Sequence, residues 1–306
     1  MPDAALKPDR RSESLRLAGG RALSLTRRPL VMGVLNITPD SFSDGGLFAE
    51  PGTALGHARR MIAAGADLLD LGAESTRPGG GVYGAGAETV PAAEELCRLM
   101  PVLEALRAES EIPLSVDTRK GEVAAAALAA GADLINDISL LGDPHLAAAA
   151  ARSGCPLIVM HSRGALDTMQ HRASYRDLLA EVRRELAEAV ERALAAGVDR
   201  RQLLVDPGIG FGKTARQNVI LLRRLEELGE LGLPLVVGAS RKSFIARIAG
   251  DAPPDRRLGG SLAAVAAAAR AGAAIVRVHD VAETVQFLHI LRAIEPSGGE
   301  PGEANP

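Results

Sequence analysis

Aromatic residues, cysteine and long apolar runs are scarce in this chain of 306 residues, and each scarcity narrows the class of protein. Trp is absent and aromatic residues make up 2% of the chain, so Ala, Leu, Val and Ile have to fill the core. Cys97 and Cys155 lie far apart without metal-ligand spacing, and each is interpreted as a small buried hydrophobic residue. No apolar run reaches the roughly 18 residues of a membrane-spanning helix, and residues 1–14 contain no apolar signal segment. These absences predict a cytoplasmic protein that contacts no membrane.

The charge balance and the length indicate one soluble domain. The net charge is −3, which provides no basic footprint for binding nucleic acid. Hydrophobic residues make up 47% and charged residues 24%, proportions that suit a packed core. Because the chain contains no long polar linker, we predict one domain over residues 15–293. A disordered extension would precede it at 1–14, and a disordered tail rich in Gly, Pro and Glu would follow at 294–306.

Strand-like and helix-like segments alternate eight times. Apolar runs of strand length occur at 30–35, 68–71, 113–116, 133–136, 156–160, 202–205, 234–238 and 274–278. Helical patterns follow them at 53–64, 88–108, 120–130, 144–153, 174–196, 215–229, 257–271 and 281–293. Eight such units predict the α/β class and a closed (β/α)8 TIM barrel, because an open doubly wound sheet usually has fewer strands and a Gly-rich turn after its first strand. Residues 15–25, with a Gly turn, predict a short N-terminal β-hairpin that covers one end of the core.

Polar side chains follow all eight predicted strands. In a barrel the carboxyl ends of the strands converge on one face, where the active site lies. Taken singly, each polar residue has an ordinary structural explanation, such as an Asp that caps the next helix. Polar residues at all eight ends are hard to explain in that way, and a barrel needs none of them for stability.

The first group of strand-end residues suits a flat heterocycle with donor and acceptor edges, such as a 2-amino-4-oxo pterin or a guanine ring. It offers two carboxylates, an amide and an ammonium group. The group consists of Asp117, Asn136, Asp206 and Lys242, and Met160 and Phe211 can pack on the faces of the ring.

The second group suits an anion such as phosphate or pyrophosphate, because three of its four members can be cationic. The amide oxygen of Asn36 can also ligate Mg²⁺. No P-loop motif occurs, so a nucleoside triphosphate pocket of that kind is not indicated. The group consists of Asn36, Arg77, Arg277 and His279.

Six segments, in order along the chain, resemble those of the dihydropteroate synthase family. The resemblance covers about residues 15–292, and the segments are specific when taken together. It implies a (β/α)8 barrel, in agreement with the strand count. The segments are 35–46 (LNITPDSFSDGG), 74–79 (ESTRPG), 115–118 (SVDT), 206–213 (DPGIGFGK), 240–243 (SRKS) and 277–280 (RVHD).

The resemblance implies a transferase of folate biosynthesis. The family joins 6-hydroxymethyl-7,8-dihydropterin pyrophosphate to p-aminobenzoate and releases 7,8-dihydropteroate and pyrophosphate. It also implies Mg²⁺ as cofactor, a homodimer, and sulfonamides that compete with p-aminobenzoate. We expect an SN1-like reaction in which pyrophosphate leaves first.

The resemblance also implies a role for each residue that matches a functional position of the family. The first group would line the pterin pocket, and Asp117, Asp206 and Lys242 would be the catalytic residues. Asn36, Arg277 and His279 would hold pyrophosphate and its Mg²⁺. Ser243 and Lys242 would contribute to the p-aminobenzoate site, together with two loops that close over it. The first loop carries Asp40, Ser41 and Phe42, and the second carries Thr76 and Arg77.

The sequence departs from the family pattern at two places, and two alternative functions were weighed against its motifs. Gly72-Ala73 stands where Gly-Gly is commoner, and Ser162-Arg163 could alter the lip of the pterin pocket. A methyltetrahydrofolate-corrinoid methyltransferase would share the ring-binding strand ends, but it has no use for the two loops or the anion group. A non-catalytic pterin-binding paralogue would be expected to show a damaged loop or a lost anion ligand, and the sequence shows neither.

Overall fold

A computed structural model describes residues 14–26, 28–38, 51–75, 89–164 and 174–295. The predicted terminal extension and tail lie almost wholly outside these ranges. The first strand begins at Ser14 and the last helix ends at Ile294, so regular structure extends one residue beyond the predicted domain at each end.

Eight parallel strands form one barrel, which confirms the predicted α/β class and (β/α)8 architecture. They are β3 (Leu30–Asn36), β4 (Leu68–Gly72), β5 (Leu114–Asp117), β6 (Leu134–Asp137), β7 (Leu157–Met160), β8 (Leu203–Asp206), β9 (Val236–Val237) and β10 (Ile275–Val278). Neighbours pair in the order β8, β7, β6, β5, β4, β3, β10, β9. The barrel closes between β8 and the residues that precede β9. There Val205 forms a parallel bridge with Leu235, and the backbone N–H of Val205 donates to the carbonyl oxygen of Pro234 at 3.0 Å.

Helices cover the outside of the barrel at or near the predicted positions. They are α1 (Pro51–Ala63), α2 (Ala92–Glu109), α3 (Gly121–Ala129), α4 (Pro144–Ser153), α5 (Leu178–Ala195), α6 (Ala215–Arg223), α7 (Ser243–Ala249), α8 (Leu258–Arg270) and α9 (Val281–Ile294). The helix predicted over 215–229 changes at Arg224 into a 3-10 helix over Leu225–Leu231. Helix α7 was not predicted, because seven residues are too few to show a helical pattern.

The predicted hairpin consists of β1 (Ser14–Arg16) and β2 (Ala22–Ser24), which pair antiparallel. Its leucines are buried in one cluster with the inward side chains at the start of the barrel strands. The backbone N–H of Arg16 donates to Gln202 Oε1 at 3.1 Å, which joins the hairpin to the entrance of β8. The hairpin therefore closes the amino end of the barrel, as predicted. The buried leucines are Leu15, Leu17, Leu23 and Leu25.

The two cysteines differ in environment. Cys155 is buried as predicted, whereas Cys97 lies exposed on α2, so the prediction is wrong for Cys97. Its helical position places it on the outer side of α2, opposite the buried Leu99 and Leu103. Within the described ranges, no helix combines the length and the apolar character that crossing a membrane requires.

Candidate active site

The barrel interior changes from apolar to polar along its axis. Inward side chains alternate with outward ones on each strand, so one row of inward positions crosses several strands. The register aligns Asn36 with Gly72, Gly72 with Asp117, and Asp117 with Asn136. This row continues through Ile158 and Leu204, so Met160 and Asp206 lie two residues nearer the carboxyl ends of β7 and β8. The polar strand ends therefore lie at the carboxyl end of the barrel, as predicted, in two rows.

The ring-binding group is brought together around Arg277. Its Nη2 donates to Asp117 Oδ2 at 2.7 Å, which joins β10 to β5 across the barrel. A Cβ built on Gly238 would lie 3.6 Å from Arg277 Cβ and 3.8 Å from Asp206 Oδ2, so β9 lacks a side chain where these two residues approach. Asn136 and Asp206 are 4% and 5% exposed, so both side chains are buried at this end of the barrel.

Two apolar side chains and one ammonium group complete this lining. Met160 and Phe211 form a small buried cluster with Ile138, apart from the main core. Lys242 Nζ lies 4.5 Å from the centre of the Phe211 ring and donates to the carbonyl oxygen of Ile209. The predicted ring-binding residues therefore all lie at the carboxyl end of the barrel.

Carboxylates and cations lie close together at this buried site, and burial shifts the pKa values of several of them. Burial raises the pKa of Asp117 to about 7, although the charge of Arg277 acts in the opposite direction. Burial also raises the pKa of Asp206, while Lys242 opposes that change. Burial lowers the pKa of Lys242 to about 8, against the attraction of Asp206. Such displaced values are common at functional sites, and here they accompany a cluster of facing charges.

Asp70 is a functional candidate that the sequence analysis missed. It lies in the middle of β4 with no exposed surface, and its Oδ2 accepts from Arg277 Nε at 2.5 Å. The same oxygen accepts from Asn136 Nδ2 at 3.1 Å. An Asp at an inward position inside an apolar strand was the signal that could have revealed it, because a lone carboxylate is rarely buried without partners.

The anion group is only partly described. Thr76, Arg77 and the first loop with Asp40, Ser41 and Phe42 lie outside the described residues. His279 Nδ1 lies 3.1 Å from Ser240 Oγ, and removal from water, followed by the charges of Arg277 and Arg241, lowers its pKa to about 3. His279 is therefore neutral near pH 7, so it is a hydrogen-bonding group rather than the cation that its residue type allowed.

The loop that begins at Asp206 needs glycine at two positions. Gly208 has φ +65°, and a Cβ there would lie 1.9 Å from the carbonyl oxygen of His161. Gly210 has φ +87°, and a Cβ there would lie 2.8 Å from Lys242 Cδ. Both glycines permit left-handed backbone and close approach. The backbone of segment 206–213 thus places Asp206 and Phe211 beside Lys242.

The segment before Lys242 is held in a strained conformation. Arg241 has φ +59°, which is uncommon for a residue with a side chain. Its backbone N–H donates to Ser261 Oγ at 2.9 Å, and its carbonyl oxygen accepts from Arg257 Nη1 at 2.8 Å. Arg241 also forms an ion pair with Asp280. These contacts place Lys242 at the site and let α7 begin at Ser243.

Ionic contacts fix both ends of the second loop. Glu74 accepts from the backbone N–H of Val90 at 2.9 Å and pairs with Arg119 and Lys120 at 3.1 and 2.9 Å. Burial acts to raise the pKa of Glu74, but the hydrogen bonds from Arg119, Val90 and Lys120 outweigh it and lower the pKa. The residues on either side of 76–88 are therefore anchored beside β5.

At the Ser162-Arg163 departure from the family pattern, the Arg163 side chain contacts α5. Arg163 Nη2 pairs with Glu181 at 2.6 Å, and its guanidinium carbon lies 3.9 Å from the centre of the Tyr175 ring. Arg163 Nε donates to Glu185 at 3.0 Å. The side chain of Arg163 is thus engaged by α5 and the residues that precede it.

The described part of the chain offers few metal ligands. It contains no group of three or more His, Cys, Asp or Glu side chains that could hold a metal ion. Asn36 remains a candidate. A Cβ built on Gly72 would lie 4.0 Å from Asn36 Oδ1 and 3.7 Å from Asp117 Cβ, so β4 has no side chain between these groups.

The fold and the lining define a (β/α)8-barrel protein with a buried, polar site for a flat ring at its carboxyl end. The chain matches the family model described as "Pterin binding enzyme" over residues 32–279. It is 48% identical over 269 residues to dihydropteroate synthase of Synechocystis sp., covering 88% of this chain and 91% of that protein. The chain therefore belongs to the pterin binding enzyme family and, within it, to the dihydropteroate synthases.

Solved structures agree with this assignment. A Xanthomonas albilineans dihydropteroate synthase with 4-aminobenzoic acid has a TM-score of 0.84 and 47% identity, covering 92% of this chain and 98% of that chain. The Xanthomonas albilineans enzyme in complex with 7,8-dihydropteroate has a TM-score of 0.80 and 44% identity, with the same coverage. These similarities favour the dihydropteroate synthases over a corrinoid methyltransferase.

Proposed function

We propose that this protein joins 6-hydroxymethyl-7,8-dihydropterin pyrophosphate to p-aminobenzoate, giving 7,8-dihydropteroate and pyrophosphate. The observation that carries the proposal is the convergence of Asp117, Asn136, Asp206 and Lys242 on one end of the barrel. The Xanthomonas albilineans structures with 4-aminobenzoic acid and with 7,8-dihydropteroate support it.

The pterin ring would bind among these side chains through its donor and acceptor edges. The carboxylates of Asp117 and Asp206 would accept from ring N–H and amino groups, and Lys242 would donate to a ring oxygen or nitrogen. Phe211 and Met160 would contact the ring faces. The ring is the part of the substrate for which the described residues provide the most complete set of partners.

In the proposed reaction the C–O bond between the pterin methylene and pyrophosphate breaks first, and both electrons leave with pyrophosphate. The carboxylates of Asp117 and Asp206 would stabilise the resulting ring cation, and Arg277 favours the ionised form of Asp117. The amino nitrogen of p-aminobenzoate would then attack the methylene carbon and lose a proton. Ser243 and Lys242 would contribute to its site, and the loops with Thr76 and Arg77 would exclude water.

Asn36 would hold Mg²⁺ together with the pyrophosphate. Mg²⁺ commonly takes one or two protein ligands and completes its coordination with phosphate oxygens and water, so a single amide oxygen fits. When bound, the ion would neutralise charge that develops on pyrophosphate. Arg277 and Arg77 would add positive charge there, and His279 would add a neutral hydrogen-bonding group.

We also propose a homodimer in the cytoplasm. Exposed apolar side chains lie on α6, α7 and α9 and could be covered by a second copy, namely Val219, Ile248, Ile290 and Ile294. Both cysteines are free, which suits a reducing compartment. Light scattering at micromolar concentration measures the mass, and a monomer would refute the dimer.

The function is tested by mixing the two substrates with Mg²⁺ and measuring pyrophosphate release. Asp117→Ala and Lys242→Ala should each lower kcat/KM about 100-fold or more, because each removes a charged partner of the ring. Asp133→Asn is the matched control, since Asp133 is equally buried but pairs with Arg21 at the amino end of the barrel.

Three results would contradict this assignment. An inactive parent protein that still binds a pterin would favour the non-catalytic paralogue. Full activity in the Asp117 and Lys242 variants would refute the residue roles. A sulfonamide should raise the apparent KM for p-aminobenzoate, and failure to do so would argue against the predicted p-aminobenzoate site.

A further inference from the structure

Asp70 contacts one residue of the ring-binding group and one of the anion group through a single oxygen. Its Oδ2 accepts from Arg277 Nε at 2.5 Å and from Asn136 Nδ2 at 3.1 Å. Its side chain is fully buried, and its Oδ1 has no hydrogen-bond partner among the described residues. Asp70 therefore lies behind the residues that would meet the ring.

The ion pair of Asp70 with Arg277 determines which end of the Asn136 amide faces it. The oxygen that pairs with the guanidinium accepts hydrogen bonds, and an amide has a donating nitrogen and an accepting oxygen. The nitrogen of Asn136 must therefore point to Asp70, and the oxygen is left for another partner.

Asp70 also restricts the guanidinium of Arg277. With Nε bound to Asp70 and Nη2 bound to Asp117, the planar group is held from two strands, β4 and β5. Two of its five N–H donors are used in this way, and the other three keep fixed directions. One carboxylate thus sets the orientation of Asn136 and of Arg277.

We propose that Asp70 is a positioning residue that sets the ring specificity of the site by presenting the Asn136 oxygen, an acceptor, to the pterin. This inference rests on the proposed function for its ligand. A ring with an N–H or amino donor at that edge is accepted, and a ring with an acceptor there is rejected, because two acceptors would face each other.

The test separates the acceptor oxygen of Asp70 from the shape of its side chain. In Asp70→Leu, a side chain of the same branched shape offers no acceptor, so the Asn136 nitrogen is no longer held and can turn toward the ring. In Asp70→Asn, the amide oxygen can take the place of Oδ2 and accept from both Arg277 Nε and Asn136 Nδ2, so the Asn136 oxygen still faces the ring.

Two measurements follow each variant. Calorimetry gives the Kd for the unreactive probe 6-hydroxymethylpterin, and steady-state kinetics give KM for each substrate. Asp70→Leu should raise the pterin Kd and KM about tenfold and change the KM for p-aminobenzoate by less than about threefold. Asp70→Asn, which keeps the acceptor oxygen, should bind the pterin within about threefold of the parent.

Several outcomes would overturn the proposal. Equal increases in both KM values for Asp70→Leu would indicate a general structural effect, as would an Asp70→Asn variant that binds the probe no better than Asp70→Leu. Asp133→Asn should leave both KM values unchanged, and a pterin-specific effect there would also contradict the proposal. If Asp70→Leu does not fold, Asp70→Asn alone decides: a folded form that binds the probe about tenfold more weakly than the parent refutes the proposal. A parent that binds the probe without releasing pyrophosphate would refute only the proposed function.

Discussion

Acidification should destabilise this protein through one buried histidine. His161 has no exposed surface, and its Nε2 lies 3.0 Å from Glu185 Oε2 while its Nδ1 lies 2.9 Å from Lys213 Nζ. A carboxylate only accepts and an ammonium only donates, so the neutral imidazole with its proton on Nε2 satisfies both. Burial, and then the charge of Lys213, lower the pKa of His161 to about 4, although Glu185 acts to raise it.

The sign of the effect follows from proton linkage. Between the ordinary pKa of 6.5 and the folded value of about 4, the unfolded chain binds a proton at His161 that the folded protein does not bind. The free energy of unfolding therefore falls as the pH falls through this range. The full difference in pKa corresponds to about 3 kcal/mol at about 1.4 kcal/mol for each tenfold change in proton affinity.

Urea unfolding of the parent and of His161→Gln, measured from about pH 7.5 to about pH 4.5, isolates this contribution. Carboxyl groups elsewhere titrate in both proteins, so the informative quantity is the difference between the two free energies of unfolding. That difference should shrink by up to about 3 kcal/mol on acidification, because the variant has no imidazole to protonate. His289→Gln, which removes an exposed imidazole from α9, is the matched control. A difference that stays constant with pH would refute the reasoning.

Two further predictions concern the effect of single substitutions on stability. Gly208→Ala should lower the free energy of unfolding by about 2–4 kcal/mol, because its Cβ would lie 1.9 Å from a backbone oxygen, whereas Gly56→Ala in α1, with only Arg60 Nη1 at 3.8 Å, should be neutral or stabilising. Thermal unfolding compares the pair, and equal effects would contradict the clash. Asp143→Ala should cost about 1–3 kcal/mol in urea unfolding, because its carboxylate accepts from His145 N at 2.9 Å and from Gly121 N at 2.7 Å and so caps both α4 and α3. A loss below about 0.5 kcal/mol would show that these caps contribute little.

The barrel could be predicted from the sequence because each strand is buried on both faces and therefore reads as a short apolar run. All eight strands lie within two residues of the predicted runs. The polar strand ends were also visible, since Asp117 and Asp206 directly follow such runs and Asn136 is the last residue of another. Parallel topology then requires them to meet at one end, so placement at the site needed no knowledge of side-chain contacts.

Contacts between distant strands could not be predicted in this way. Asp70 was hidden inside an apolar run, and its role depends on Arg277, which lies 207 residues further along the chain. The neutral state of His279 depends on removal from water and on the nearby charges of Arg277 and Arg241, which no local pattern reveals. Sequence periodicity reports burial and strand direction, whereas these properties arise from the closure of the barrel.

The hairpin at the amino end has a consequence for synthesis of the chain. Arg16 bonds to Gln202, and β3 pairs with β10 as well as with β4, so these residues acquire the last of their native neighbours only after most of the protein has been made. On the ribosome, Leu15 and Leu23 would remain partly uncovered during that interval, and closure would be a late event with a large entropic barrier. A nascent chain arrested before α8 should therefore expose apolar leucine side chains in the hairpin, and chaperones that bind exposed apolar segments should recognise it.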